Sequence, residues 1–347
     1  MADLRFPAEW EQHEAVWTAW PSAADLWEED LEPARGEVAD LCHAIAMPDP
    51  DDDSVAGERI ELLLRGVEAE KSAREEFEDL IACGRARLHQ APIGDIWLRD
   101  TGPIFLKTGD GLIARTFGFN GWGGKYMLPD DDRISGIVAA AAGFPAQPGG
   151  FVLEGGAIDG DGAGTLLTTR QCVLNPNRNA GMTEDRFETL MRETLGIEKV
   201  IWLDDGLLND HTDGHVDNIA RFIAPGRVVC MSPAGTNDPN HDVLLAIRKK
   251  LSMETDAGGR PLEVIDIPSA GLVTNEEGQP VPASHMNFYI ANRSLVIPVY
   301  AQTDEQERYM EEAVELLSVA ADREHVYAIS ANHLLTGGGS FHCITQQ

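Results

Sequence analysis

Residues 96–117, IWLRDTGPIFLKTGDGLIARTF, contain the pattern that decides the predicted fold. An apolar run carrying one acid, Asp100, leads through TGDG at 108–111 into a second apolar run. Two apolar runs joined by a short Gly-containing turn are typical of a β-hairpin. The same pattern returns in three further stretches, 151–169, 215–232 and 286–300. The sequence therefore predicts a hairpin unit that is repeated along the chain.

Each repeat places one polar residue on its first apolar run. These residues are Asp100, Glu154, Asp217 and Asn287, and LLTGGGSFHCIT (334–345) supplies a fifth at Cys343. Their separations of 54, 63, 70 and 56 residues suggest five similar β-hairpin-plus-helix units, which would fill the 347 residues. Equivalent positions in a ring of units would converge on one central pocket. An ordinary mixed α/β fold without symmetry is the alternative.

Helical periodicity is clearest in three amphipathic segments, 183–195, 241–251 and 304–319. Two acidic stretches, 48–58 and 129–133, are interpreted as surface loops, and neither is long enough to separate domains. We therefore expect a single catalytic domain spanning residues 1–347.

The composition restricts the partners. The chain has 27 Lys and Arg against 58 Asp and Glu, a net charge of −31. A surface this negative repels nucleic acid and attracts small cations, although solubility or a saline habitat would also explain the charge. The longest apolar stretch, 134–144, is too short for a bilayer, so a membrane protein is not expected. The sequence does not decide between a monomer and a homo-oligomer.

The predicted compartment is the cytoplasm. The N-terminus has acids where a signal peptide needs a basic end and an apolar run. The five cysteines are widely spread and form no CxxC pair, which is typical of a reducing environment.

The segment NDHTDGHVDNIARF (209–222) offers groups for proton transfer or metal binding. On a strand, His215 and Asp217 would face the same side because alternate residues share a face. With His211 they form an H-x3-H-x-D pattern. A metal-dependent amidohydrolase is thus an open alternative, although no HExxH helix or cysteine pair supports it.

Two further acids and one thiol complete the candidates. Glu154 interrupts an apolar strand start, and a buried acid needs a partner, for which His215 is the evident choice. Asp100 precedes a Gly-Pro turn, and on a strand it would face away from Trp97 and Arg99. Cys343 follows three glycines, which allow the backbone to approach a ligand closely.

The chemistry of this set favours a cationic substrate. Carboxylates near a thiolate raise the thiol pKa, so three acids beside a nucleophilic cysteine are unfavourable without a compensating cation. A guanidinium is planar, always charged and suited to two bidentate carboxylates. We therefore expect guanidinium hydrolysis through a covalent S-alkylthiouronium, with release of ammonia and a ureido product.

The chain resembles the agmatine deiminases and the wider bacterial-type peptidylarginine deiminase family. Seven stretches in order carry the resemblance: WEQHEAVWTAWP (10–21), DIWLRDTGPIF (95–105), GFNGWGGK (118–125), LEGGAID (153–159), TTRQCVLNPNRN (168–179), NDHTDGHVDN (209–218) and GGGSFHCITQQ (337–347). This family adopts the pentein fold, a five-bladed α/β propeller with a central active site. The resemblance therefore implies that the fivefold repeat is real.

The resemblance also implies residue roles. Cys343 would be the nucleophile and His215 the general acid/base, oriented by Glu154. Asp100 and Asp217 would hold the guanidinium. Three further residues would contact the substrate, namely Trp97, Asp210 and Gly339. No metal or organic cofactor is implied.

One position departs from the family pattern, since His211 stands where agmatine deiminases usually have an acid. The expected reaction is hydrolysis of agmatine to N-carbamoylputrescine and ammonia. A deiminase of peptidyl-arginine or of another guanidino compound is the alternative within the family. From another class, a non-catalytic pentein-fold binding protein would not need Cys343, His215 and the carboxylates together.

Overall fold

The computed structural model describes residues 4–47 and 57–347. Its strands are β1 (Ala15–Ala19), β2 (Arg59–Leu64), β3 (Ala86–Gln90), β4 (Ile104–Thr108), β5 (Gly111–Gly118), β6 (Ala146–Val152), β7 (Ile158–Gly160), β8 (Thr165–Thr169), β9 (Lys199–Leu203), β10 (Ala220–Ala224), β11 (Arg227–Ser232), β12 (Glu263–Pro268), β13 (Tyr289–Ile290), β14 (Ser294–Val299) and β15 (His325–Ser330).

The α-helices are α1 (Ala24–Trp27), α2 (Leu31–Ala46), α3 (Val67–Glu76), α4 (Glu78–Ala82), α5 (Leu98–Thr101), α6 (Gly121–Gly124), α7 (Ile134–Ala141), α8 (Arg170–Val173), α9 (Glu184–Leu195), α10 (His241–Leu251), α11 (Asp304–Ala321) and α12 (Asn332–Thr336). Short 3-10 helices cover Glu28–Asp30, Asp131–Arg133, Gly155–Ala157 and Val216–Asn218. None of the helices in the described ranges is both long and apolar enough to span a bilayer.

The strands form five three-stranded sheets in sequence order. In four of them an antiparallel hairpin is followed by a helix and a third strand parallel to the second, as in β4-β5-β6. The remaining sheet, β1-β2-β3, is all parallel, and Gln346 pairs antiparallel with Trp17 beside β1. The bridge at Gln346 thus takes the position of the antiparallel first strand and connects residues near both chain ends in one unit.

The four predicted hairpins are present, with the β4-β5 turn between Thr108 and Gly111. The placement of the polar residues on the leading strands was wrong, because these residues lie in short turns before the strands. Asp100 is in α5, Glu154 precedes a 3-10 helix, and Asp217 lies within another. Glycines after Asp100 and Glu154 allow the chain to turn there before the strand starts.

The three predicted amphipathic helices are confirmed as α9, α10 and α11. Thr183 and Thr303 cap α9 and α11, each accepting a hydrogen bond from a backbone N–H in the first turn. Their apolar faces are buried against the sheets, as shown by Leu190, Leu244 and Leu317.

The two predicted acidic loops have different outcomes. Residues 48–56 lie outside the described residues, whereas Glu58, at the end of that stretch, is only 2% exposed. In the second stretch, Asp131 is only 3% exposed. Its burial is compensated by a hydrogen bond that its Oδ1 accepts from the N–H of Gly94 at 2.6 Å. An acid can thus be buried in a polar stretch when the backbone supplies a donor.

The five repeated positions converge, as the period predicted. The N–H of Gly156, two residues after Glu154, donates to Asp100 Oδ1 at 2.9 Å. Asn287 Nδ2 donates to Asn218 Oδ1 at 2.9 Å, and the N–H of Cys343 donates to Asn287 Oδ1 at 3.1 Å. Glu154 Oε2 lies 3.3 Å from His215 Nε2, and Cys343 Sγ lies 3.9 Å from Asp217 Oδ2, so residues of all five units meet at one place.

Candidate active site

Cys343 lines a cavity of about 330 Å³, together with Asp100 and Trp97. The residue is 5% exposed, and its Sγ is 3.9 Å from Asp217 Oδ2. Gly339, in the preceding turn, must lack a side chain, since a Cβ there would come within 2.5 Å of the Trp97 ring and 3.1 Å of Cys343 Cβ. The glycine-rich turn thus allows the thiol and the indole to share the cavity wall.

Asp100 is fixed by donors to both carboxylate oxygens. Trp122 Nε1 donates to Oδ2 at 2.9 Å, and the N–H of Gly156 donates to Oδ1 at 2.9 Å. Gly156 cannot carry a side chain here, because a Cβ would lie 2.5 Å from His215 Nδ1 and 3.0 Å from Asp217 Oδ2. Asp100, His215 and Asp217 therefore surround the same glycine.

His215 is fully buried between two acids. Its Nε2 lies 3.3 Å from Glu154 Oε2, and its Nδ1 lies 3.8 Å from Asp100 Oδ1. Burial lowers the pKa of His215, but the carboxylate of Asp100, the contact with the Cys172 thiol and the carboxylate of Glu154 outweigh burial and raise the pKa well above its usual range. The expected pairing of Glu154 with His215 is therefore present, and the imidazole is held in its charged form. The predicted strand geometry for His215 and Asp217 was wrong, since both lie in the turn before β10.

Glu154 has two further partners. Arg178 Nε donates to Oε1 at 2.9 Å and to Oε2 at 3.2 Å, and Cys172 Sγ lies 3.7 Å from Oε2. Burial raises the pKa of Glu154, but His215 and Arg178 outweigh burial and lower it. Glu154 is thus an anion that supports the charge on His215.

Asp217 is fixed by a second histidine, His342, the residue before the nucleophile. His342 Nδ1 is 2.7 Å from Asp217 Oδ2, and its Nε2 is 2.9 Å from Glu9 Oε2. Burial raises the pKa of Asp217, but the contact with His342 outweighs burial and lowers it. Asp217 Oδ1 is buried and has no hydrogen-bond partner in the described ranges, so one acceptor of this carboxylate remains unused.

Burial raises the pKa of the Cys343 thiol well above its usual range, and the nearby carboxylates of Asp217 and Asp100 raise it further. The thiol is therefore protonated when no cationic substrate is bound. A planar cation between these carboxylates would offset both the burial of the thiol and the repulsion from the two carboxylates, and would stabilise the thiolate.

Two stacked indoles form one wall of the cavity. The rings of Trp27 and Trp97 have centroids 6.2 Å apart, and their Nε1 atoms donate to the two oxygens of Asp95 at 2.9 and 2.7 Å. The prediction that Trp97 and Asp100 face opposite sides was wrong, because both side chains line the same cavity. Arg99 points the other way, where its Nη2 donates to Gln347 Oε1 at 2.9 Å. The four-residue helix α5, rather than a strand, produces this arrangement.

The cavity mouth is acidic. The exposed and half-buried part of its lining includes three acids, Glu28, Glu29 and Asp30, and no Lys or Arg among the described residues. Lys125 lies next to this lining, where its Nζ donates to the backbone oxygen of His211 at 2.7 Å and to Asp213 Oδ1 at 2.6 Å. His211 also lines the mouth, with Nδ1 3.3 Å from the Tyr126 hydroxyl. A substrate end that reaches the mouth therefore meets mainly negative charge.

Two sequence interpretations of 209–218 do not agree with the structure. Asp210, like Asp217 and Gly339, is not among the residues that line the cavity. Unlike Asp217, it has partners for both oxygens, since its carboxylate accepts from Thr212 Oγ1 at 2.6 Å and from Asn218 Nδ2 at 3.2 Å. Asp210 therefore supports the loop that leads to His215. His211, His215 and Asp217 do not form a metal-binding group within the described residues. The metal-dependent alternative therefore lacks its ligand set.

Sequence reasoning missed several supporting residues. Trp122, Arg178 and Cys172 lie in stretches that were noted only for their resemblance, and Glu9 was not singled out. The one local signal was GFNGWGGK, in which glycines surround a tryptophan whose φ of +51° is rare for a side-chain-bearing residue. The pairing of Glu9 with His342 spans 333 residues and gives no local signal.

Comparisons with known proteins agree with this geometry. A family model described as Porphyromonas-type peptidyl-arginine deiminase matches residues 5–347. A Stutzerimonas stutzeri protein named agmatine deiminase is 34% identical over 365 residues, covering 98% of this chain and 94% of that protein. A Marinomonas protein, provisionally named agmatine deiminase, is 36% identical over 367 residues, covering 99% and 94%.

The fold has solved counterparts. A structure described as the agmatine deiminase of Enterococcus faecalis catalyzing its reaction superposes with a TM-score of 0.85 at 27% identity, covering 99% of this chain and 95% of that one. The expected five-bladed pentein architecture is thereby confirmed.

Proposed function

Because this chain belongs to the Porphyromonas-type peptidyl-arginine deiminase family, we propose that it hydrolyses the guanidinium group of agmatine to N-carbamoylputrescine and ammonia. The reaction proceeds through a covalent thiouronium on Cys343. The relatives that carry the agmatine deiminase name supply the substrate class, and the site supplies the chemistry.

One observation supports this proposal above the others. Asp100 and Asp217 lie beside a buried thiol, and Asp217 Oδ1 has no partner in the described part of the chain. An unpartnered buried carboxylate oxygen is costly and is satisfied by a charged donor. A guanidinium presents pairs of N–H groups to both carboxylates and leaves its central carbon open to attack by the thiolate.

The first half-reaction releases ammonia. Binding of the guanidinium stabilises the thiolate, and the thiol proton passes to solvent. The thiolate attacks the guanidinium carbon, and the C–N bond to one terminal nitrogen breaks. The imidazolium of His215, kept charged by Asp100 and Glu154, gives its proton to the departing nitrogen. The product of this step is ammonia and a thiouronium.

The second half-reaction restores the enzyme. His215, now neutral, accepts a proton from water, and the hydroxide attacks the thiouronium carbon. The C–S bond breaks and the hydroxyl proton is lost, which releases the neutral ureido product, and that proton returns Cys343 from the thiolate to the thiol. Glu154 stabilises the imidazolium that forms again, and Arg178 holds Glu154 in place. Asp100 and Asp217 bind the nitrogens that remain on the guanidinium carbon in both half-reactions. Trp97 contacts the alkyl chain of the substrate.

The acidic mouth supports agmatine over arginine. Agmatine carries net charge +2, whereas arginine adds an α-carboxylate at the end that reaches the mouth. One repulsive pair at about 6 Å and an effective dielectric of 20 costs about 3 kcal/mol, or roughly a hundredfold. After screening we expect kcat/KM for agmatine to exceed that for arginine by at least about tenfold.

The test is ammonia release from agmatine, free arginine and a peptide with an internal arginine, measured at low and high salt. The Cys343→Ser variant is the blank, because a hydroxyl is ionised far less than a thiol. Agmatine should be the preferred substrate, and its advantage over arginine should narrow as salt rises. Equal kcat/KM for arginine at low salt would overturn the assignment of agmatine. Absence of ammonia from all three would overturn the deiminase proposal.

A further inference from the structure

Three side chains that commonly bind metals meet on the far side of His215 from Asp100. Cys172, Glu154 and His215 each offer one ligand atom, and these atoms lie within 4.8 Å of one another. All three side chains are buried, with exposures of 0%, 1% and 0%. His215 and Glu154 take part in the proposed reaction, whereas none of its steps uses the Cys172 thiol.

The spacing of these atoms matches a tetrahedral zinc ion. With Zn–S of about 2.3 Å and Zn–N and Zn–O of about 2.1 Å, the tetrahedral angle puts S and O about 3.6 Å apart and N and O about 3.4 Å apart. The structure has Cys172 Sγ at 3.7 Å and His215 Nε2 at 3.3 Å from Glu154 Oε2. Two edges of the coordination triangle are therefore already in place, with little movement needed.

The ligand types and charges also fit zinc. Thiolate, imidazole and carboxylate are the three donor types that zinc takes in proteins. Zinc would displace the Cys172 proton, and the thiolate with Glu154 would then neutralise its two positive charges. Arg178 Nε contacts both oxygens of Glu154, at 2.9 Å from Oε1 and 3.2 Å from Oε2, so zinc binding replaces the longer contact while Oε1 keeps the shorter one. The Arg178 guanidinium is also paired with Asp213, to which its Nη1 donates.

We propose that Cys172, His215 and Glu154 form an inhibitory zinc site. A zinc ion on His215 Nε2 removes the lone pair that must bind a proton for the imidazole to be charged. The metallated imidazole keeps only its Nδ1 proton, and loss of that proton would leave an imidazolate, so it is a far weaker acid than the imidazolium. The ion therefore blocks proton transfer to the departing nitrogen without entering the substrate cavity. The binding claim stands apart from the proposed function, whereas the inhibition rests on it.

The test measures zinc binding by calorimetry in metal-free protein with the background substitution Cys343→Ser, which removes the other thiol of the active site. This variant should bind one zinc ion per chain. Adding Cys172→Ser should weaken the binding at least about a hundredfold, since even outer partners of a metal site are worth 10- to 100-fold. The matched control adds Cys230→Ser instead, which replaces another fully buried thiol, and should bind as the background does.

Cobalt(II) supplies a readout that does not depend on affinity alone. A thiolate-to-cobalt charge-transfer band should appear in the Cys343→Ser protein and in the Cys230 control but not in the Cys172 double variant. Circular dichroism establishes that each variant is folded, and Cys172→Ala in the same background replaces the serine variant if that one is not. A band that persists without Cys172, or unchanged zinc affinity, would overturn the site.

The wild-type enzyme links the site to activity. Ammonia release should fall as zinc saturates the protein and return when a chelator is added. If zinc binds through Cys172 but no substrate releases ammonia, the proposed function fails while the site stands. If ammonia is released and zinc does not bind, the site fails while the proposed function stands.

Discussion

Trp122 provides a sharp test of how Asp100 is held ready for substrate. Its indole Nε1 donates to Asp100 Oδ2 at 2.9 Å, and its ring packs edge-on against Phe119 with centroids 4.9 Å apart. The substitution Trp122→Phe removes the donor and keeps an aromatic ring. Burial already raises the pKa of Asp100, and the Trp122 hydrogen bond lowers it. Without that bond the pKa rises further, and less of the carboxylate is charged at a given pH.

The size of the effect follows from one charge-assisted hydrogen bond. Such a bond is worth about 1.5–3 kcal/mol, which corresponds to a loss of about 10- to 150-fold in kcat/KM. Because the guanidinium needs charged Asp100, the acid limb of kcat/KM moves to higher pH. The loss should therefore be largest at low pH and should shrink as the pH rises and Asp100 ionises.

The assay is the pH profile of kcat/KM for ammonia release from agmatine. The matched control is Trp202→Phe, which removes a similar bond from Nε1 to Glu188 Oε1 at 3.0 Å, in an indole of comparable burial. Trp202 does not line the cavity, so this variant should keep the wild-type profile. A Trp122→Phe loss of equal size at every pH, or no loss at all, would refute the reasoning about Asp100.

Three other substitutions test the remaining contacts. Asp217→Asn presents an amide donor to the guanidinium and should lower kcat/KM by about ten- to a hundredfold in steady-state assays, whereas Asp242→Asn, at an exposed site, should not. Glu154→Gln removes a charge that raises the pKa of His215, so the alkaline limb of the pH profile should move to lower pH; an unmoved limb would contradict that role. His211→Glu adds an acid to the mouth and should raise the agmatine-to-arginine ratio of kcat/KM by up to about tenfold. An unchanged ratio would show that His211 does not face the substrate's far end.

The repeated architecture could be predicted because each unit carries its own signals. Hairpin turns such as TGDG and apolar alternation are local, and the period of the polar positions predicted that they meet. The local geometry of those positions could not be predicted in the same way. Asp100 and Asp217 lie in helical turns before their strands, since adjacent glycines and tight packing override the strand preference of the flanking apolar residues.

The residues around the catalytic groups were harder to find because their partners are distant in sequence. Trp122 reaches Asp100 across 22 residues, and Arg178 reaches Glu154 across 24. His342 lies beside the nucleophile, yet its position between Asp217 and Glu9 depends on contacts across 125 and 333 residues. A sequence shows which groups can bind one another, but only the fold determines which of them are within reach.

The central claim is that Cys343 is the thiol that meets a guanidinium, and affinity labelling tests it most directly. A haloacetamidine carries the planar cation, and its neutral counterpart, a haloacetamide, is the matched reagent. The cation should label Cys343 alone, with loss of activity and protection by agmatine, as mapped by peptide mass spectrometry. The haloacetamide should instead favour the exposed thiol of Cys83. Amidinium labelling at Cys83, Cys172 or another cysteine, with Cys343 unmodified, would contradict the account.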